Sequence, residues 1–110
     1  MKRIDAYLQP HRLHKVVTAL HALPNFPGFT LLDAHGQGRG RGAGGHFVYS
    51  TDGLVYHERV VMIVYCEDQD AETVARTIAS AARTGNKGDG IVAISGDHTL
   101  LRISSAGGPP

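Results

Sequence analysis

A single cysteine, Cys66, stands in a chain of 110 residues, so no disulfide can close within it, and a reducing compartment is expected. Charge of one sign is scarce as well: 11 Lys and Arg against 10 Asp and Glu leave a formal net charge of +1. No general basic field recruits nucleic acid, and no run of Lys or Arg tracks a phosphate backbone. Any anion binding therefore has to be local, and no nucleic-acid partner is expected. No apolar stretch approaches membrane-spanning length, and residues 1–10 alternate polar and apolar side chains where a targeting segment would place a charged stretch before an apolar one. The expectation is a soluble, cytoplasmic protein. Catalytic groupings are lacking too, since no Ser/His/Asp order, paired carboxylates or Cys/His pair stands out; the chain is expected not to be an enzyme.

What is present suffices for one domain over residues 1–110, because 42% hydrophobic content supports a single core of moderate size. Ile4, Ala6 and Leu8 alternate with Asp5, Tyr7 and Gln9, a period of two that predicts a half-buried strand ended by Pro10. Leu13, Val16, Val17 and Leu20 then form one helical stripe, stopped by Pro24, Pro27 and Gly28. A second strand is predicted over about residues 29–34. Val60-Val61-Met62-Ile63-Val64-Tyr65-Cys66 is apolar without alternation, so this strand needs cover on both faces. Val60, Met62 and Val64 would face one way, Val61, Ile63 and Tyr65 the other. One layer of helices covers a single face, and the economical cover for the second is another copy of the chain. Asp70 reads as an N-cap for a helix whose stripe is Ala71, Val74, Ala75, Ile78 and Ala82. Residues 91–94 predict a short buried strand, residues 100–103 a last strand segment, and residues 104–110 a frayed tail. The order of strand, helix, strand, long loop, strand, helix, strand predicts an α+β, ferredoxin-like sandwich of two split βαβ units.

Two glycine-rich segments interrupt this frame. Gly36, Gly38, Gly40, Gly42, Gly44, Gly45 and Gly53 supply half of the 14 glycines, so residues 35–57 read as a long loop, a kind that is usually functional or disordered. Arg39 and Arg41 lie on it between glycines and could hold a phosphate or an acidic partner. Thr84-Gly85-Asn86-Lys87-Gly88-Asp89-Gly90 is the second segment. Glycines at 85, 88 and 90 allow positive φ and close approach of a ligand, and successive N–H groups of such a turn form an anion-holding concavity. The plainer reading is a helix C-cap with Gly85 at C′. Asp89, between two glycines, suits holding backbone N–H groups or a ribose better than acid–base work.

Seven histidines invite a metal reading. His11 and His14 are three apart on a helix, and His35, His46 and His57 flank or occupy the loop. Their spacing matches no compact ligand motif. Solvated histidines are the simpler account, and no tightly bound metal is expected. Cys66, at the end of an apolar strand, reads as a small buried hydrophobe.

Met1-Lys2-Arg3-Ile4-Asp5-Ala6, Pro10 followed by a basic residue and Leu13, Gly36-Gln37-Gly38-Arg39 at the start of the loop, and the turn over 84–90 before an apolar strand together resemble the PII signal-transduction proteins. The likeness runs from residue 1 to about residue 103, and the fixed distance between the two glycine elements makes it specific. It implies a homotrimer of ferredoxin-like subunits that binds adenine nucleotides in clefts between subunits. It also implies a long T-loop, here about residues 37–57, that moves to engage a membrane transporter or enzyme. Transferred residue by residue, the resemblance puts Gly88, Asp89 and Gly90 on the nucleotide phosphates with Gly38 and Arg39. It puts Arg102 there from the neighbouring subunit and the backbone of Thr30 on the adenine.

The chain departs from the nitrogen-sensing members of that family. Ile91 stands where they carry Lys and Ser104 where they carry a second Arg. Gly40 replaces a loop Gln, and Asp52 stands at the position of the tyrosine that is modified, with Tyr49 and Tyr56 nearby but off the matching position. A charge-assisted phosphate contact is worth about 1.5–3 kcal/mol, so losing two weakens a triphosphate more than AMP or ADP. The resemblance thus implies the divergent PII-like group, linked to transport of inorganic solutes. The implied ligands are AMP or ADP, with ATP a poorer one and bicarbonate or another small anion as a second. The alternative is a metal-responsive binding protein linked to heavy-metal efflux, using His35, His46 and His57; slow nucleotide hydrolysis in the same cleft is a weaker enzyme reading.

Overall fold

The computed structural model describes residues 1–37, 49–50, 53–54, 56–105 and 107–108. Strand β1 (Lys2–Leu8) leads through a 3-10 turn (Pro10–Arg12) into helix α1 (Leu13–His21). Strand β2 (Thr30–Gly36) follows, and two short strands, β3 (Tyr49–Ser50) and β4 (Gly53–Leu54), pair with each other. Strand β5 (His57–Cys66), a 3-10 turn (Asp68–Asp70), helix α2 (Ala71–Ala82) and strand β6 (Gly90–Ser95) complete the frame. The main sheet has the order β2-β5-β1-β6 with every neighbouring pair antiparallel. Each βαβ unit is thereby split by a strand of the other, which is the ferredoxin-like α+β arrangement.

The core lies between this sheet and the two helices. Ile4, Ala6 and Leu8 of β1 and Met62 and Val64 of β5 are at most 1% exposed and face the helices. Against them pack Val16 and Leu20 of α1 and all five residues of the α2 stripe. The alternation on β5 follows the expected split: Val60, Met62, Val64 and Cys66 are buried, while Val61, Ile63 and Tyr65 on the opposite face are half-exposed. Tyr7 of β1 and Leu32 of β2 share that open face and are 41% and 52% exposed.

Four expectations need correction. Residues 91–94 do form a strand, but it is an edge strand with one neighbour, so Ile91 and Ile94 are 67% and 47% exposed and only Val92 is half-buried. Residues 100–103 do not add a strand: Arg102 pairs with Gly108 in a small backbone bridge, and Ile103–Ser105 is a 3-10 turn. That local closure satisfies the Arg102 N–H and carbonyl within the segment itself. Asp70 precedes α2 but makes no capping bond with its side chain, because the preceding 3-10 turn already holds it in a helical conformation (φ −94, ψ −14). Gly85 is not a helix cap either, since α2 ends at Ala82 and Arg83 is extended. The C-terminal carbonyls of α2 are met from outside: Arg12 Nη2 donates to the carbonyls of Ala81 at 2.9 Å and Arg83 at 3.2 Å, the role basic side chains take at helix ends.

Candidate ligand site at the glycine turn

The turn that links α2 to β6 carries the left-handed glycines its sequence predicts, with φ of 86° at Gly85, 84° at Gly88 and 103° at Gly90. Gly90 is the tightest position. A Cβ there would run into the backbone carbonyl of Tyr7 on the neighbouring strand, so both conformation and space demand glycine.

Asp89 ties the turn together from within. Its carboxylate accepts the backbone N–H groups of Thr84 and Gly85, both at 3.0 Å, and the Thr84 hydroxyl. The same hydroxyl accepts the N–H of Asn86 at 3.1 Å. The Thr84 hydroxyl bond, followed by the Thr84 backbone bond, holds the Asp89 carboxyl below the usual carboxylate range. Asp89 thus fixes the first half of the turn, leaving the second half, at Gly88 and Gly90, as the part whose backbone can meet a ligand.

This turn lies at the same end of the sheet as the base of the long loop. In register, Gly90 stands opposite Leu8 and Leu8 opposite Val60, while Gly36 and His57 pair just beyond, where β2 leaves and β5 returns. Two side chains that the motifs do not single out cross this end. Gln9 Nε2 donates to the Gly88 carbonyl at 2.7 Å, and Arg59 Nη2 reaches the same carbonyl at 3.4 Å. A signal for Arg59 does exist in the sequence: period two from Val61 and Ile63 puts it on the open face, one step from the loop.

The other candidates are dispersed within one chain. Thr30 is exposed at the start of β2, level with Ile63, Asp5 and Ala93. It is therefore separated from β6 by two strands, about 14 Å at ordinary strand spacing. Arg102 is exposed in its C-terminal bridge, and no hydrogen bond joins it to the turn among the described residues. One chain brings together Gly88, Asp89 and Gly90 but not Thr30 or Arg102. Gly38, Arg39, Arg41, His46, Gly40 and Asp52 lie outside the described residues.

No group of three His, Cys, Asp or Glu is placed to hold a metal ion among the described residues. His35 packs against Tyr56 at 4.9 Å between ring centres, and His21 stacks on Phe26 at 4.0 Å, so these imidazoles have aromatic neighbours. Cys66 is 5% exposed, and burial pushes its thiol up, away from the thiolate a metal would need. No helix among the described residues is long and apolar enough to cross a membrane.

Comparison with known proteins agrees with this geometry. The pattern of the family described as nitrogen regulatory protein P-II matches residues 1–102. Nitrogen regulatory protein P-II 2 of Methanothermobacter thermautotrophicus is 35% identical, covering 94% of this chain and 89% of its own. Nitrogen regulatory protein P-II of Rhizobium meliloti is 32% identical, covering 94% and 91%. The chain belongs to the nitrogen regulatory protein P-II family.

Proposed function

We propose that this P-II family member is a cytoplasmic, homotrimeric regulator that binds an adenine nucleotide in clefts between subunits and signals through its long loop to a membrane transporter or enzyme. The observation that carries this reading is the juxtaposition of the left-handed glycine turn with the base of that loop at one end of the sheet. A ligand held by the backbone of Gly88 and Gly90 would lie where the loop leaves β2 and re-enters β5, so occupancy can bias loop position. Thr30 and Arg102 lie away from the turn within one chain, and the open sheet face supports their arrival from a neighbouring copy. Gly38 and Arg39 join the phosphates, and Arg41 serves the partner.

The ligand preference is AMP or ADP over ATP. Ile91 is 67% exposed directly after Gly90, so the side chain adjoining the turn presents hydrocarbon where a cation would meet a third phosphate. Together with Ser104, this leaves the desolvation of that phosphate poorly compensated. The relatives carry names for nitrogen regulation, whereas the residues at 40, 52, 91 and 104 favour a different signal, with bicarbonate or another small anion as the second ligand.

Calorimetric titration of one preparation with AMP, ADP and ATP, each with and without 2-oxoglutarate or bicarbonate, tests this. AMP or ADP should bind at least as tightly as ATP, without gain from 2-oxoglutarate. ATP binding far tighter than ADP and strengthened by 2-oxoglutarate would restore a nitrogen-sensing role. No binding of any adenine nucleotide would overturn the reading.

A further inference from the structure

We infer that Arg59 is a phosphate-binding residue of the nucleotide cleft, reaching the glycine turn from β5 and meeting the phosphates AMP and ADP share with ATP; this rests on the nucleotide reading above. Strand period places Arg59 on the open face with Val61 and Ile63, at the end of the sheet that carries the loop base, where it pairs opposite Ala34. Its guanidinium crosses to the glycine turn. Nη2 lies 3.4 Å from the Gly88 carbonyl and Nη1 donates to the Glu58 carbonyl at 2.8 Å.

Neither bond consumes the charge. The Gly88 carbonyl already accepts Gln9 Nε2 at the much better distance of 2.7 Å, so the long contact from Arg59 is not what satisfies it. No carboxylate stands within ion-pair distance of Arg59 among the described residues, whereas Arg3 and Arg76 each have one. Glu58 is next in sequence, but the strand turns it to the other face. A half-buried arginine whose exposed guanidinium keeps unspent N–H groups, against the carbonyl of a left-handed glycine turn, is arranged for an anion. Its planar fork can hold Gly88 and reach a phosphate oxygen at once, which a single ammonium cannot. A phosphate there would be met by Gly88 and Gly90 on one side and Arg59 on the other.

The test uses the full chain with ADP as the probe, titrated calorimetrically at low and high salt for the wild type, Arg59→Gln and Arg59→Lys. Arg59→Gln should bind ADP roughly tenfold to hundredfold more weakly, and the salt dependence of its binding should flatten because a charged contact has gone. Arg59→Lys should keep the wild-type salt dependence with an affinity between the two. If Arg59 merely props the Gly88 carbonyl, affinity falls in Arg59→Gln with salt dependence unchanged, and the proposal is overturned. Equal ADP affinity for wild type and Arg59→Gln also overturns it while leaving the nucleotide reading standing. A wild type that binds no adenine nucleotide overturns both. Should Arg59→Gln not fold, Arg59→Lys decides, since affinity equal to the wild type's would show that the fork is not needed.

Discussion

The two faces of the main sheet are built from the same strands and from similar apolar residues, yet they end in different states. On the face toward the helices, Ile4, Ala6, Leu8, Met62 and Val64 are sealed by α1 and α2. On the other, Tyr7, Leu32, Val61, Ile63 and Ile91 stay open or half-open. The covered face is sealed over its two central strands within one chain, while Leu31 and Ile94 at its edges stay exposed. The open face carries apolar side chains beyond what folding of one chain requires, beside the Arg3–Asp5 ion pair, and apolar surface left open in this way supports its use as the proposed subunit interface. Residues 61 and 62, adjacent in sequence, belong to opposite regimes. Fold and assembly can therefore be perturbed separately, at neighbouring positions.

The largest expected effect on stability is on the covered face. Met62 has no exposure, and Met62→Ala should cost about 2–5 kcal/mol in urea-induced unfolding, from lost burial and the cavity left behind. A loss below about 1 kcal/mol would mean that the core repacks around the gap. On the open face the readout changes from stability to mass. Val61→Glu places a carboxylate in the patch proposed to join three subunits, where burial without a partner is prohibitive. Light scattering should show a shift from about three subunit masses toward one, with far-UV circular dichroism retained. A Val61→Glu protein that assembles like the wild type would remove the open face as the interface and, with it, the clefts assigned to the nucleotide.

Much of this contrast is legible in the amino-acid sequence. The unalternating run at 60–66 declares two apolar faces, and the α2 stripe can be named residue for residue, because both depend on local periodicity. The left-handed glycines at 85, 88 and 90 are legible for the same reason: a turn that close to a strand favours no other residue. Edges and ends are harder. Ile91 and Ile94 look like a buried strand until the sheet order makes β6 an edge, and sheet order is a non-local property. Residues 100–103 carry strand-like side chains, but whether they pair depends on what lies beside them, and in one chain the bridge from Arg102 to Gly108 is nearer. Arg59 belongs to no motif, because its value comes from the turn beside β1 and not from its own neighbours in sequence.

The smallest expected effect belongs to neither face but to the glycine turn, which is held by polar bonds in water. Asp89 stabilises that turn only while its carboxylate is ionised, accepting from Thr84 and Gly85. Its folded-state acidity is depressed chiefly by the Thr84 hydroxyl, so the contribution is present above the ordinary carboxylate value of about 3.9. It is lost as pH falls through the lower, folded value. The amide resonances of Thr84 and Gly85 should accordingly titrate with a midpoint below about 3.9, and Asp89→Asn should abolish that titration. Because the group is accessible to solvent, the variant should keep both the assembly proposed for the open face and the core that depends on Met62. What should change is the order of the turn, seen as faster amide exchange at Thr84 and Gly85. A midpoint at or above about 3.9 would mean that the bonds to Thr84 and Gly85 do not persist in solution, and the preformed turn would then have to be replaced by one that ligand binding creates.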